Sequence, residues 1–146
     1  MISGKEVNSI EALYFTLLNC GWQKNTSSQC DNWDESKPWE FQSAPTALLV
    51  QRYFGGDIYT RFCLSRTHYY NVINNVIIDL TFQEVATIDT EILYKQGTNI
   101  GENPKSTLTN NAIFLNNLFD NCKISDKIIL KKPQYTTTRK KKFKNN

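Results

Sequence analysis

Three side chains that lie far apart in the chain are of the types that carry out nucleophilic acyl transfer: Ser43, His68 and Asp79. A hydroxyl or thiol becomes an effective nucleophile when an imidazole removes its proton. A carboxylate can fix the tautomer of that imidazole and leave its other nitrogen for the nucleophile. Each residue also has an ordinary structural role: Ser43 as a helix cap, His68 as a satisfied histidine, and Asp79 as an acceptor for backbone N–H groups at a strand end.

The segment THYYNVINNVIIDLTF, residues 67–82, predicts a β-hairpin around an Asn-Asn turn. With these two asparagines in the turn, Tyr70 is expected opposite Asp79. His68 is expected opposite Thr81. Because side chains alternate between the faces of a sheet, His68 and Asp79 become diagonal neighbours on one face. A turn shifted by one residue would place these two side chains on opposite faces.

Position 43 is expected at the start of a helix. In SAPTALLVQRYF, Pro45 suits a first helical turn, the apolar residues form a broad buried face, and the glycine pair at 55–56 ends the helix. Backbone N–H groups and the dipole at a helix N-terminus lower the pKa of a thiol and can stabilise a developing oxyanion. Serine has a far higher pKa than cysteine, so Ser43 would depend on His68 for activation.

Two further helices and a long loop are predicted on either side of this segment. Asn8 and Glu11 resemble a capping box, and apolar residues then recur at helical spacing until Gly21. Similar spacing predicts a helix near residues 107–122. Residues 22–40 contain three tryptophans without a regular period, which indicates a structured loop whose tryptophans either pack on the core or line a cleft.

The remaining segments complete a single α+β domain over residues 1–130. Residues 57–65 alternate as a strand, and residues 124–130 predict a short additional strand. Seven of the seventeen Lys and Arg side chains lie in residues 131–146, so the rest of the chain has a net charge of −4. We expect this basic tail to be disordered and solvated, in preference to an arm that binds nucleic acid or an anionic membrane surface. Nucleic-acid binding is disfavoured by the acidic domain and by the lack of an RNA-binding motif.

Composition restricts the chemistry further. With four scattered cysteines, no Cys-x-x-Cys pair and one histidine, we expect no metal or other cofactor. Buried free thiols are predicted, with two disulfides as the alternative for an exported protein. No apolar run approaches the length of a membrane span, and the first residues lack a secretion signal. Cytoplasmic localisation is therefore the default, and export as an effector or toxin is left open.

Several short motifs together resemble the bacterial YunG-like family. They are FQSAPTAL at residues 41–48, FGGD at 54–57, HYYN at 68–71 and DLT at 79–81. The family pattern runs Gly-Gln-Cys-Ala-Val-Thr-Ala-Leu, Phe-Gly-Gly-Glu, Ser-His-Tyr-Trp-Asn and Asp-Leu-Thr in the same order, across roughly residues 10–85 of this chain. The chain departs from it with Phe41 for Gly, Ser43 for Cys, Pro45 for Val and Tyr70 for Trp.

The order Cys, His, Asp in that family resembles papain-like and transglutaminase-like thiol enzymes. The resemblance implies an α+β, papain-like (NlpC- or transglutaminase-like) domain in which a helix carrying the nucleophile packs on an antiparallel sheet. Ser43 would stand at the nucleophile, His68 at the general base and Asp79 at the orienting acid. The same matches give the candidate oxyanion or substrate-binding residues Gln42, Tyr70 and Asn71, although packing is an equal alternative for Gln42.

The function implied is a papain-like thiol enzyme that acts on an amide or acyl bond of a protein or peptide-like substrate. Peptidase, deamidase and acyl transferase are all compatible with this chemistry. Serine at position 43 would inactivate such an enzyme, and we rank an introduced Cys-to-Ser exchange ahead of a natural pseudoenzyme and of a serine nucleophile. The alternative function is a noncatalytic protein-binding module with the same fold.

Overall fold

A computed structural model describes residues 9–101 and 105–123, with side chains described over 9–101 and 113–123. Two predictions lie outside these residues: the strand at 124–130 and the basic tail at 131–146. Over the described ranges, no helix is both long enough and apolar enough to cross a membrane.

The described residues form an α+β fold with one four-stranded antiparallel sheet. The four α-helices are Ile10–Thr16 (α1), Ser43–Phe54 (α2), Thr90–Lys95 (α3) and Lys105–Cys122 (α4). The four strands are Asp57–Cys63 (β1), Arg66–Ile73 (β2), Val76–Ile78 (β3) and Thr98–Gly101 (β4), in the sheet order β3-β2-β1-β4. The predicted α2 helix, β2–β3 hairpin and helix near 107–122 are therefore all present.

The two hairpin turns each use two residues with positive φ. Asn74 and Asn75 have φ of 52° and 65°, which is the conformation of a type I′ turn and confirms the predicted Asn-Asn turn. Leu64 and Ser65 connect β1 to β2 with φ of 49° and 66°. Ile73 and Val76, the residues on either side of the Asn-Asn turn, lie directly opposite each other.

The second hairpin is shorter than predicted. Its ladder ends at the pair Asn71 and Ile78, so the expected pairing of Asp79 with a residue of β2 is wrong. The carboxylate of Asp79 accepts hydrogen bonds from the backbone N–H and the hydroxyl of Thr81, at 3.2 and 3.3 Å. Such local bonds turn the chain, and it leaves the sheet for a 3₁₀ turn at Phe82–Val85.

The two faces of β2 pack against different parts of the protein. On the side of α2, Ile73 belongs to the main core and Tyr69 packs against it, and the Asn71 amide donates a 2.9 Å hydrogen bond to Ala47 O of α2. Tyr70 and Val72 point the other way, into a second apolar cluster. Because side chains alternate along a strand, His68 lies on the second face with Tyr70.

The main core joins α2 to the sheet and to α4. Its fully buried members include Leu49, Val50 and Ile58, each contributing about 1.5–3 kcal/mol of stability through burial. Gly21 allows α4 to approach the turn that follows α1, because a Cβ at this position would lie 2.6 Å from Cys122 Sγ. The main core thus fixes α2 and β2, the two elements that carry Ser43 and His68.

The first helix begins one residue later than predicted. Ser9 is its N-cap, and the Ser9 hydroxyl accepts a 3.1 Å hydrogen bond from Ala12 N, so the cap predicted at Asn8 is wrong. After α1, the chain continues to the predicted end at Gly21 as a π-helical turn, Leu17–Gly21.

Two elements were not predicted. Both α3 and β4 lie between the predicted hairpin and the predicted helix near residues 107–122, where no helix or strand was predicted. The Asp89 carboxylate caps α3 by accepting from Glu91 N and Ile92 N, at 3.1 and 3.3 Å. Strand β4 is only four residues long and gains its identity from pairing with β1.

The loop at residues 22–40 contains two 3₁₀ turns and packs on the core. Trp22 is buried, and its indole donates a 2.8 Å hydrogen bond to Thr46 Oγ1. All four cysteines are free, but only Cys122 is buried, so the prediction of buried thiols is wrong for the exposed Cys30 and the partly exposed Cys20 and Cys63.

Candidate active site

Ser43 is the first residue of α2 and is 8% exposed. The helix begins where Thr46 N donates to Gln42 O at 3.1 Å, which confirms a helix start at position 43. Gln42, not Ser43, is the cap residue, and it makes no side-chain hydrogen bond to the first turn. The Ser43 hydroxyl instead accepts a 3.2 Å hydrogen bond from Tyr69 N on β2. The Ser43 hydroxyl therefore ties the start of α2 to a part of β2 that does not pair with β3.

Phe41 reverses the chain immediately before α2. Its φ is 62°, a left-handed conformation that costs a residue with a Cβ roughly 1–2 kcal/mol. Phe41 N donates to Glu84 Oε2 at 2.8 Å, and Phe41 O accepts from Ser28 N at 2.9 Å. The Arg66 guanidinium lies 4.4 Å above the centre of the Phe41 ring. These contacts hold the strained residue that sets the direction of α2.

The side chain of Gln42 is directed into the protein. Its Oε1 accepts a 2.6 Å hydrogen bond from Thr26 Oγ1, and its Nε2 donates to Gln23 O at 3.1 Å. Gln42 is fully buried. The structure thus gives Gln42 a packing role, in which its amide ties the loop to the start of α2.

His68 and Asp79 form the direct contact that the hairpin predicts. His68 Nε2 lies 2.7 Å from Asp79 Oδ2, and the two side chains are only 2% and 3% exposed. The Tyr94 hydroxyl donates to the same carboxylate oxygen at 2.7 Å. Asp79 lies in the turn after β3 and is not paired with a residue of β2. The contact between Asp79 and His68 therefore forms even though β3 is shorter than predicted.

Glu84 is the site residue that the sequence analysis missed. Its Oε1 lies 3.5 Å from His68 Nδ1, and its Oε2 lies 3.0 Å from Arg66 Nη2 and 2.8 Å from Phe41 N. His68 Nδ1 is buried and has no hydrogen-bond partner within the described part of the chain. A glutamate in a short 3₁₀ turn has no periodic signature, so only the folded position of that turn reveals its role.

The surroundings of His68 favour its charged form. Burial lowers the pKa of the imidazole, but the hydrogen bond to Asp79 and the charges of Asp79 and Glu84 outweigh burial and raise the pKa to about 9. His68 is therefore an imidazolium at neutral pH. Burial and the Asp79 carboxylate also raise the pKa of Tyr94, which stays protonated as a hydrogen-bond donor.

Ser43 and His68 are connected through Tyr69 but are not hydrogen-bonded to each other in the residues the structure describes. The Ser43 hydroxyl contacts the backbone of Tyr69, the residue after His68. Glu84 also connects the segment before α2 to β2, because its carboxylate contacts the Phe41 backbone and faces the His68 ring. The predicted Ser43, His68 and Asp79 thus lie around one end of β2.

The other two candidates, Tyr70 and Asn71, make internal contacts. Both are nearly fully buried. The Tyr70 hydroxyl donates to Tyr94 O at 3.2 Å, and the Tyr70 ring stacks on His68 with centroids 6.4 Å apart. The Asn71 amide holds β2 against α2.

Comparison with known proteins identifies the family. The family model described as YunG protein matches residues 9–118. The chain is also 35% identical over 68 residues to the protein named "Uncharacterized protein YunG" of Bacillus subtilis (strain 168). That match covers 47% of this chain and 56% of the relative, so the chain spans only about half of the relative's length. No solved structure matches the chain. The family match covers most of the sequence, and the chain therefore belongs to the YunG protein family.

Proposed function

We propose that this domain carries a papain-like acyl-transfer site of the thiol-enzyme type, in which residue 43 is the nucleophile position. His68 is the base and Asp79 its orienting acid. The supporting observation is the state of the imidazole: Nε2 is engaged by Asp79, whereas the buried Nδ1 has no hydrogen-bond partner among the described residues. Asp79 fixes one nitrogen, and the other nitrogen, which keeps only a 3.5 Å ionic contact with Glu84 Oε1, is the one that can exchange a proton with residue 43.

The charge of His68 favours a thiol over a hydroxyl at residue 43. An imidazole whose pKa is raised to about 9 already carries its proton at neutral pH and cannot remove the proton of a serine. An imidazolium can, however, stabilise a neighbouring thiolate, as can the N-terminus of α2. With Ser43, this site is therefore catalytically silent, and with cysteine it would hold an ion pair.

The proposed reaction begins when the thiolate at residue 43 attacks the carbonyl carbon of an amide or thioester. The His68 proton passes to the leaving amine or thiol, and an acyl-thioester remains on residue 43. The oxyanion would be stabilised by the N–H groups of Ser43 and Ala44, at a helix start to which the cap residue gives no side-chain bond. Water or an amine then accepts the acyl group. The substrate class is a protein or peptide-like acyl donor.

The alternative is a noncatalytic binding module. The observation in its favour is that Gln42, Ser43, Tyr70 and Asn71 are all buried and hydrogen-bonded within the protein. In that case, the charged residues around His68 would serve only to hold β2, the 3₁₀ turn and the start of α2 together. The two functions differ in whether His68 changes the ionisation of residue 43.

The experiment is the pH dependence of alkylation by iodoacetamide in a Ser43→Cys variant, with Cys30→Ser to remove the exposed thiol. Ser9→Cys in the same background is the matched control, because Ser9 caps another helix and the single histidine is His68. We expect the midpoint of the rate profile at position 43 to lie at least about one pH unit below that at position 9. The midpoint reports thiol ionisation independently of how exposed each thiol is.

His68→Gln should raise the midpoint at position 43 and leave that at position 9 unchanged. Asp79→Asn should act in the same direction with a smaller effect, because it removes a charge that favours the imidazolium. Equal midpoints at positions 43 and 9, with no response to His68→Gln, would reject the thiol-enzyme site and favour the binding module.

A further inference from the structure

We propose that Glu84 is the positioning residue of this site: its carboxylate connects His68 to the backbone of Phe41 and so fixes the imidazole relative to the segment that leads into α2. The contacts of Glu84 are observed in the structure and do not depend on the proposed function. Their importance for residue 43 rests on the function proposed above.

The burial of Glu84 indicates a specific role. Its side chain is only 4% exposed, and a buried carboxylate is strongly unfavourable unless it is paired and hydrogen-bonded. Oε2 has a cation at 3.0 Å, Arg66, and a backbone N–H donor at 2.8 Å, Phe41. Oε1 faces the imidazole of His68 at 3.5 Å. The carboxylate thus joins three segments: the residue before α2, strand β2 and its own 3₁₀ turn.

Arg66 strengthens this connection from a second direction. The same guanidinium pairs with Glu84 and lies over the Phe41 ring. Phe41 has a left-handed backbone and needs external contacts to keep it. Glu84 and Arg66 together hold the main chain and the side chain of Phe41, which sets where Gln42 and then Ser43 begin the helix.

The three contacts of Glu84 differ in strength. The Oε2 contacts at 2.8 and 3.0 Å are short and charge-assisted, whereas Oε1 and His68 Nδ1 are 3.5 Å apart. Oε2 is therefore anchored, and the Oε1 contact is the one that can lengthen. A longer Oε1 contact would release His68 Nδ1 without breaking the bonds that keep Glu84 in place.

The charge of Glu84 also acts on the ionisation of His68. The ionisable groups around the imidazole come from every neighbouring element: Arg61 and Cys63 of β1, Arg66 and Tyr70 of β2, Asp79 after β3, Glu84 of the 3₁₀ turn and Tyr94 of α3. Only two of these groups are carboxylates. Removing the charge of Glu84 leaves Asp79 as the single anion against the imidazolium.

The test uses the fact that His68 is the only histidine, so NMR of protein labelled in histidine gives one imidazole titration. Glu84→Gln should lower the pKa of His68 by about one unit or more, which is a tenfold loss of proton affinity. Glu35→Gln, at an exposed position in the loop, is the matched control and should leave the titration unchanged. Arg66→Gln should shift the pKa upward, because it removes a cation and leaves the Glu84 carboxylate to the imidazolium.

Opposite shifts in these two variants would not arise from a general loosening of the structure. An unchanged His68 titration in Glu84→Gln, or a downward shift in Arg66→Gln, would overturn the inference. If Glu84→Gln does not fold, the sign of the Arg66→Gln shift decides alone.

A second measurement separates this inference from the proposed function. In the Ser43→Cys background, Glu84→Gln should raise the midpoint of the alkylation profile by weakening the imidazolium. If the His68 pKa moves as expected but the thiol at residue 43 ignores it, Glu84 still positions His68 and the thiol-enzyme proposal fails. If neither moves, the role of Glu84 is rejected whatever the reactivity of residue 43.

Discussion

The stability of the protein should fall as the pH rises from about 6.5 to about 9, because folding favours the protonated form of His68. In the folded protein, the imidazolium faces the carboxylates of Asp79 and Glu84. In the unfolded chain, it has neither partner. A group whose pKa is higher when folded stabilises the protein below its unfolded pKa, and this contribution is lost as the pH passes through the folded value.

The size of the effect follows from the two pKa values. The ordinary value is 6.5, and the folded value is raised to about 9. At about 1.4 kcal/mol for each unit, the difference amounts to roughly 3 kcal/mol of unfolding free energy. His68 is almost fully buried, so solvent screens the interaction only weakly. A loss of this size is a large fraction of the free energy of unfolding of a small domain, which is typically about 5–15 kcal/mol.

Urea unfolding followed by tryptophan fluorescence, at a series of pH values across this range, would measure the loss. The His68→Gln variant is the reference protein. The thiols and the terminal amine ionise in the same way in this variant and in the unsubstituted protein, so their contributions cancel in the difference. The difference in free energy of unfolding between the two proteins should shrink by about 3 kcal/mol from the acidic to the alkaline end. A difference that stays constant or grows with pH would refute the assignment of His68 as a buried imidazolium.

Three further predictions concern the surroundings of the site. Ser43→Ala should lower the free energy of unfolding by about 1–2 kcal/mol in urea titrations, because Tyr69 N loses its acceptor; no change would mean that another acceptor replaces it. Phe41→Gly should be more stable than Phe41→Ala by about 1–2 kcal/mol, since only glycine adopts the left-handed conformation without cost; the reverse order in thermal unfolding would argue against that conformation. Burial and the neighbouring Cys20 raise the pKa of Cys122 to about 12, so peptide mapping after alkylation should find the exposed Cys30 modified first and Cys122 last.

The elements that the sequence predicted best have strong local signals. Helix α2 has Pro45 in its first turn and Gly55 at its end, and the β2–β3 hairpin has two asparagines that tolerate positive φ. Strand β4 was missed because four residues, half of them polar, carry no pattern of their own and become a strand only by pairing with β1.

The site was predicted in part, and for a partly different reason. The contact between His68 and Asp79 was expected from the register of a longer hairpin, but the local bonds of Asp79 to Thr81 end the strand and still direct the carboxylate to His68. Glu84 could not be predicted, because its contacts with His68 and Phe41 depend on how the 3₁₀ turn packs against two other segments.

The candidate substrate contacts show the limits of motif matching. Gln42, Tyr70 and Asn71 were placed near the nucleophile by their neighbours in sequence, and all three use their polar groups for internal hydrogen bonds. A motif gives the order of residues along the chain but not the direction of each side chain. That direction was set here by the loop, by α3 and by α2.

The central claim is that residue 43 is a nucleophile position served by His68. It is tested most directly by mixing the Ser43→Cys variant with p-nitrophenyl acetate and following intact mass and peptide mapping. The thiolate should displace p-nitrophenolate and gain one acetyl group as a thioester at position 43, faster than at any of Cys20, Cys30, Cys63 or Cys122. The acylation rate should fall sharply when His68→Gln is added. Acetylation that is no faster at position 43 than at Cys30, or that is unaffected by the loss of His68, would contradict the claim.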